Sequence, residues 1–161
     1  MEVEFDVLPG GKTLIDHMVK ISRHAANMTP AMRAIMTSLH HIEAQRFLNE
    51  GPGWAALKQS TIDYRLSHGF GEGPILFRTS TLEESFTGGA NSTNIATADF
   101  MEVTSHVEYA HFHQNGADNL DARPIITLNA NTLLLWREIL QMYLMTGASG
   151  SISDDAIAMA L

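Results

Sequence analysis

Residues 107–124 constrain this chain more than any other stretch. They read Val107-Glu108-Tyr109-Ala110-His111-Phe112-His113-Gln114-Asn115-Gly116, then 117 to 121, then Ala122-Arg123-Pro124. Gly116, following an aromatic and a His-Gln pair, predicts a tight turn taken through positive φ, which glycine enters without a Cβ penalty. Pro124 fixes its own φ and drives Arg123 towards an extended conformation, so Ile125 to Leu128 are expected to leave the loop as a strand. The turn is thereby held between two ordered elements. Arg123 carries a planar fork of donors just before a rigid proline, an arrangement suited to pinning a turn. Its expected partners are backbone carbonyls of the preceding loop, or Asp118 or Asp121.

At 161 residues the chain is expected to form one domain, residues 1–161, large enough to bury a core without staples. It has no cysteine, which excludes disulfides, thiolate zinc sites and cysteine nucleophiles. The first residues carry Glu2, Glu4 and Asp6 where a signal peptide would be basic, and no apolar run approaches the roughly 18 residues of a membrane span. No membrane partner is expected. Basic and acidic residues balance as far as Ser80; beyond it only Arg123 and Arg137 oppose a run of acids, so the second half carries the whole net charge of −8. Such a field repels phosphate at long range and argues against a nucleic-acid reader. It is compatible with a wall past which DNA slides.

The rest of the chain reads as α+β, a small antiparallel or mixed β-sheet packed against long amphipathic helices. Residues 3–8 alternate apolar and acidic, a short edge strand ended by Pro9-Gly10-Gly11. Residues 13–27 keep helical spacing through Leu14, Ile15, Met18, Val19, Ile21, Ala25 and Ala26, with Arg23 and His24 near the end, where the dipole favours them. Thr29 as a cap and Pro30 at the first helical position start a second helix, running to about Asn49. Its apolar stripe is Met32, Ile35, Met36, Leu39, Ile42 and Phe47, with Arg33, His40, Glu43 and Arg46 placed elsewhere on the cylinder.

Gly51-Pro52-Gly53 breaks that helix, and a short helical segment follows from about Thr61. A loop through Gly69, Gly71 and Gly73 to Pro74 is expected to be exposed or mobile. Ser80-Thr81-Leu82-Glu83 has capping-box spacing and predicts a helix of one or two turns. Strands are expected over 93–98, 100–105 and 123–128. Asn131 is placed to cap a last helix, 132–145, apolar around nearly its whole circumference. Such a helix wants burial on more than one side, as a central core helix or with one face against another subunit. Residues 147–161 read as a flexible C-terminal arm: a Gly-Ser linker, then a short amphipathic piece beginning Asp154-Asp155.

Chemistry is sparsely signalled. His111 and His113 would share a face on a strand, and His106 invites a three-histidine metal site, yet no acidic ligand accompanies them at a recognisable spacing. No P-loop, Gly-x-Ser-x-Gly or His-Glu-x-x-His occurs, and no strand feeds Gly69-Phe70-Gly71-Glu72-Gly73. No catalytic residue, metal ligand or cofactor is expected.

In linear order, Gly51-Pro52-Gly53-Trp54, Leu57, Thr61, Ile75-Leu76-Phe77, Thr79, Leu82 and Ser85, then Tyr109-Ala110, His113-Gln114, Gly116 and Ala122-Arg123-Pro124, resemble the bacteriophage virion morphogenesis family. That family includes the Mu G-like and P2-type tail completion proteins. The resemblance spans Phe47 to Leu128, and the first helix and the acidic tail lie outside it. Ser80 departs from the family's usual glycine, and as a better cap it is expected to change only local structure. What the resemblance implies is a non-catalytic assembly protein at the head–tail junction of a tailed phage: a tail completion, terminator or neck component. Relatives at such junctions form rings, commonly hexamers, around the DNA channel. The implied partners are copies of itself and other neck or tail proteins, with DNA only passing through. The structural or interaction candidates are Trp54, Thr61, Leu82, Tyr109, His113, Gln114, Gly116, Arg123 and Pro124, which serve packing or contact a partner. The rival readings are a metal-dependent hydrolase using His106, His111 and His113, a monomeric module for a small ligand, and an assembly factor absent from the mature virion.

Overall fold

The computed structural model describes residues 11–150. The expected strand over 3–8 and the end of the C-terminal arm, from 151 onward, lie outside the described residues. Six helices and one hairpin follow in the order α1 (Gly11–Ala25), α2 (Thr29–Leu48), α3 (Gln59–Ser67), α4 (Thr81–Glu84), β1 (Ser92–Ala96), β2 (Met101–Ser105), α5 (Ala110–Asn115) and α6 (Ala130–Thr146). The fold is α+β. Its sheet is the antiparallel β1–β2 hairpin, registered Ser92 opposite Ser105 and Ala96 opposite Met101, and it packs on α2. The Thr97 hydroxyl accepts from the backbone N–H of Asp99 and Phe100, closing the turn between the strands.

α2 is the axis of the molecule. Ala31, Ile35, Leu39, Ile42 and Phe47 are buried along it, as a helical stripe requires. The expected placement of Glu43 and Arg46 elsewhere on the cylinder is wrong: they are 1% and 2% exposed. Residues 35, 39, 42, 43 and 46 are neighbours three and four apart, so both charges continue the apolar face. The expected cap at Thr29 is also displaced. Thr29 is already helical, Met28 stands at the cap without a side-chain bond, and the Asn27 side chain accepts from the Thr29 N–H at 3.2 Å.

α6 runs antiparallel to α2. Trp136 Nε1 donates to Ser38 Oγ at 2.8 Å, and Tyr143 hydroxyl donates to the Asn27 carbonyl at 2.7 Å. Its cap is Asn129 rather than Asn131, with Asn129 Oδ1 accepting from the Thr132 N–H at 2.8 Å. Only Thr132, Ile139 and Tyr143 of α6 are buried, so it is not a central core helix. Leu133 at 54% and Met145 at 64% remain exposed, together with Leu134 and Met142. α1 packs on α6, where a ring nitrogen of His24 meets the Leu144 carbonyl at 2.8 Å. Its Leu14, Ile15, Met18 and Val19 are each more than half exposed.

The main core gathers beyond the middle of α2: Phe47, Trp54, Ile75, Leu82, Phe86, Val107, Ala110 and Ile125. Ser80, expected to cap α4, makes no side-chain cap bond and sits at φ 59° in the left-handed region. That conformation explains the place of a glycine there better than capping does, because only glycine enters it without a Cβ penalty.

Candidate functional site

The stretch 107–124 builds a site by folding as a short helix before its turn. Ala110–Asn115 is α5, ended by Gly116 at φ 80°, whose N–H donates to the Phe112 carbonyl at 2.8 Å. A Cβ on Gly116 would stand 3.1 Å from the Leu120 carbonyl oxygen and 3.2 Å from the Ala122 nitrogen, so the position requires glycine. Ala117 and Leu120 then exchange both backbone hydrogen bonds at 2.9 Å, and the Arg123 N–H returns the chain to the His113 carbonyl at 2.7 Å.

Beyond Pro124 the expected strand does not form. Its backbone groups are satisfied by side chains instead. Gln114 Oε1 accepts from the N–H groups of Ile125 (2.8 Å) and Ile126 (3.0 Å), while Nε2 donates to the Ile126 carbonyl at 3.0 Å. An amide side chain carries both roles, so Gln114 replaces a neighbouring strand. Trp54 Nε1 donates to the Pro124 carbonyl at 3.1 Å, and Arg46 donates to the carbonyls of Ile125 and, at 3.1 Å, Thr127. Trp54 is itself held edge-on against Phe47, and a Cβ on Gly51, at φ 64°, would collide with the indole. The Gly51-to-Trp54 motif therefore has a packing cause.

Arg123 is fixed as a pin, but to a different loop from the one expected. Its Nε and Nη2 both donate to the Ala55 carbonyl, at 3.0 and 2.9 Å, rather than to the preceding loop or to Asp118 or Asp121. Arg46 is bound at 3.2 Å to Glu43, and among the described residues this is the one ion pair. Burial pushes the Glu43 carboxyl up to about 7, against the pull of Arg46. Arg46 Nε and His113 Nδ1 are buried and have no hydrogen-bond partner. Burial, and then the Arg123 charge, lower the pKa of His113. Its ring packs edge-on to Tyr109.

In front of this frame lies a cleft of about 490 Å³, bounded by α3, the segment leading into α4, and the face of α5 with residues 119–123. Thr61, Leu82, Tyr109, His113 and Arg123 line it, so the structure brings these candidates together. Trp54, Gln114, Gly116 and Pro124 stand behind it and shape it. Sequence reasoning missed Lys58, Arg65 and Arg78 on the cleft wall. Arg65 Nη1 gathers the carbonyls of Glu72, Gly73 and Pro74 at 3.1 to 3.4 Å, which closes the exposed glycine loop onto α3. Burial, and then the nearby Arg78 charge, lower the pKa of Arg65. Arg78 stacks over the Phe70 ring. The only advance signal for these cations is their place in the first half of the chain, which holds eight of its ten Lys and Arg residues.

The histidines are distributed otherwise. A ring nitrogen of His106 bonds the Thr93 hydroxyl at 2.7 Å, and because α5 is helical His111 and His113 do not share a face. Among the described residues, no three His, Asp or Glu side chains are placed to hold a metal ion. No described helix is long and apolar enough to cross a membrane.

No curated protein and no solved structure matches the chain. A model of the phage virion morphogenesis family matches residues 11–141. The match takes in α1 and most of α6, correcting the narrower span from Phe47 to Leu128. The motifs that shape the cleft and its frame are thus parts of a virion-assembly protein, and the chain belongs to the phage virion morphogenesis family.

Proposed function

We propose that this chain acts at the head–tail junction of a tailed phage, as a tail completion, terminator or neck component, by closing into a homo-oligomeric ring around the DNA channel. A hexamer is the expected copy number, and the adjoining neck or tail proteins are its other partners. Its role is structural rather than catalytic. The observation that supports the reading is the apolar surface left open on α1 and α6. Leu14, Ile15, Met18 and Val19 on one helix, and Leu133, Leu134, Met142 and Met145 on the other, face no partner in the described fold. Monomeric proteins rarely expose contiguous apolar patches beyond a few hundred Å². A specific interface buries on the order of 1,200 to 2,000 Å² in total, and these two faces would form its apolar part. α1 of one copy against α6 of the next, without the reciprocal contact, is a heterologous, head-to-tail interface, the kind that builds a ring when the rotation closes. Asp99, Glu102, Glu108, Asp118 and Asp121 then face the channel and repel DNA rather than grip it.

The test is made in the particle. A cryo-EM map of the neck and tail is expected to hold symmetric copies of this chain around the axis. Infection without its gene is expected to leave DNA-filled heads apart from tails. Normal joining in the mutant, with the chain absent from the virion, overturns the junction reading in favour of an accessory assembly role.

A further inference from the structure

The cleft in front of α5 is cationic in a protein of net charge −8. Lys58, Arg65, Arg78 and Arg123 line it against a single carboxylate, Asp121, and among the described residues none of the four cations is ion-paired. Arg65 and Arg123 are satisfied by backbone carbonyls, which position their guanidinium groups without neutralising them. Leu57, Leu76, Phe112 and Leu120 add apolar surface among these charges. A matching occupant carries both acids and apolar side chains. Nucleic acid supplies phosphate but no aliphatic groups for the floor, whereas the segment beginning Asp154-Asp155 continues with Ile157, Met159 and Leu161.

We propose that this cleft receives residues 154–161 of a neighbouring copy of the chain. The acids meet Lys58 and Arg78, and the aliphatic side chains cover the leucines and Phe112. This deepens the ring reading and rests on it. Geometry favours the neighbour over the same chain. α6 ends beside the start of α2, where Tyr143 bonds Asn27, while the cleft lies past the far end of α2, where Arg123 bonds Ala55. The 20 residues of α2 separate these places by about 30 Å at 1.5 Å per residue. Gly150 still lies against Met142, and the chain from there to Asp154 spans at most about 14 Å. Asp154 and Asp155 therefore fall short of Lys58 and Arg78 in their own chain, and their pairing with these cations needs an adjacent copy.

The absence of cysteine gives a clean background for disulfide trapping in the full chain. Thr79→Cys places a thiol on the cleft wall, Ala158→Cys one on the arm, and Ser67→Cys one on exposed α3 outside the cleft. Under mild oxidation, a mixture of the Thr79→Cys and Ala158→Cys proteins is expected to give the mixed dimer, and Ser67→Cys with Ala158→Cys only background. Charge reversal by Lys58→Glu with Arg78→Glu should lower the mixed yield about tenfold, as the loss of two close charge pairs and their replacement by repulsion implies. Adding Asp154→Lys and Asp155→Lys on the arm should restore it. Equal yields from Thr79→Cys and Ser67→Cys, insensitivity to charge reversal, or no mixed dimer at the highest soluble concentration overturns the proposal. So does intrachain closure in a dilute Thr79→Cys, Ala158→Cys double variant. Sedimentation of the same samples separates the two readings: rings without the specific cross-link refute the docked arm alone, and cross-linked chains that build no ring in solution or in the particle refute the ring.

Discussion

Glu43 offers a direct measure of how the buried charge on α2 is handled. Its carboxyl is 1% exposed and 3.2 Å from Arg46, and burial raises its pKa from an ordinary 4.5 to about 7. Between those values the folded protein holds a proton that the unfolded chain has released. Stability from this group is therefore full below the unfolded pKa and is lost as the pH rises through the folded one. Each pH unit in the window removes about 1.4 kcal/mol, and the whole window about 3 kcal/mol. Glu43→Gln keeps an oxygen for Arg46 and binds no proton. Urea unfolding of both proteins, followed by far-UV circular dichroism from pH 4.5 to 8, is expected to show the wild type losing about 3 kcal/mol relative to the variant. A difference that stays flat, or that moves in favour of the wild type as pH rises, would show that pairing with Arg46 outweighs burial and would refute the reasoning.

Gln114→Ala leaves two N–H groups and a carbonyl of the 125–126 backbone without partners and is expected to cost about 2–4 kcal/mol in chemical denaturation. Gln114→Glu retains the two accepting bonds and should recover part of that loss. Gly116→Ala forces a Cβ into φ 80° against two backbone atoms and should cost about 1–3 kcal/mol by thermal unfolding. Ser80→Gly relieves a left-handed serine and is expected to raise stability by up to about 1 kcal/mol. Leu133→Glu with Met145→Glu should weaken self-association in sedimentation while changing monomer unfolding by no more than about 0.5 kcal/mol per site, because both positions are exposed.

The helices are legible where one face is apolar at helical spacing, as α1 and α2 show, α6 is legible as a long apolar run, and the hairpin is legible where β-rich runs flank a turn. Glu43 and Arg46 are charged, which by residue type places them on a solvent face, but their spacing continues the stripe of Ile35, Leu39 and Ile42. The run after Pro124 reads as a strand because extended apolar backbone has the same sequence whether strands or side chains satisfy it. Its true partners are separated from it by 70 to 81 residues in the case of Trp54 and Arg46. At Ser80 the capping-box spacing is present, but the spacing does not encode the left-handed φ. The candidate site was legible as a set of residues, five of which meet in one cleft. Its charge was not, because Lys58, Arg65 and Arg78 reach it from elements that no local pattern connects to Arg123.

The side-chain bonds that clamp residues 124–127 also bear on how the molecule opens. A strand in a ladder can fray residue by residue from an end, but this segment is held by α2, the Trp54 loop and α5 together. No one of them releases it alone, and none of its bonds to Trp54 or Arg46 can form before roughly half the chain has been brought together. The amides of Ile125 and Ile126 should therefore exchange with deuterium only through global unfolding, at rates matching the slowest amides in the middle of α2. In native-state exchange, two residues outside any helix or sheet would then read out the stability of the entire fold.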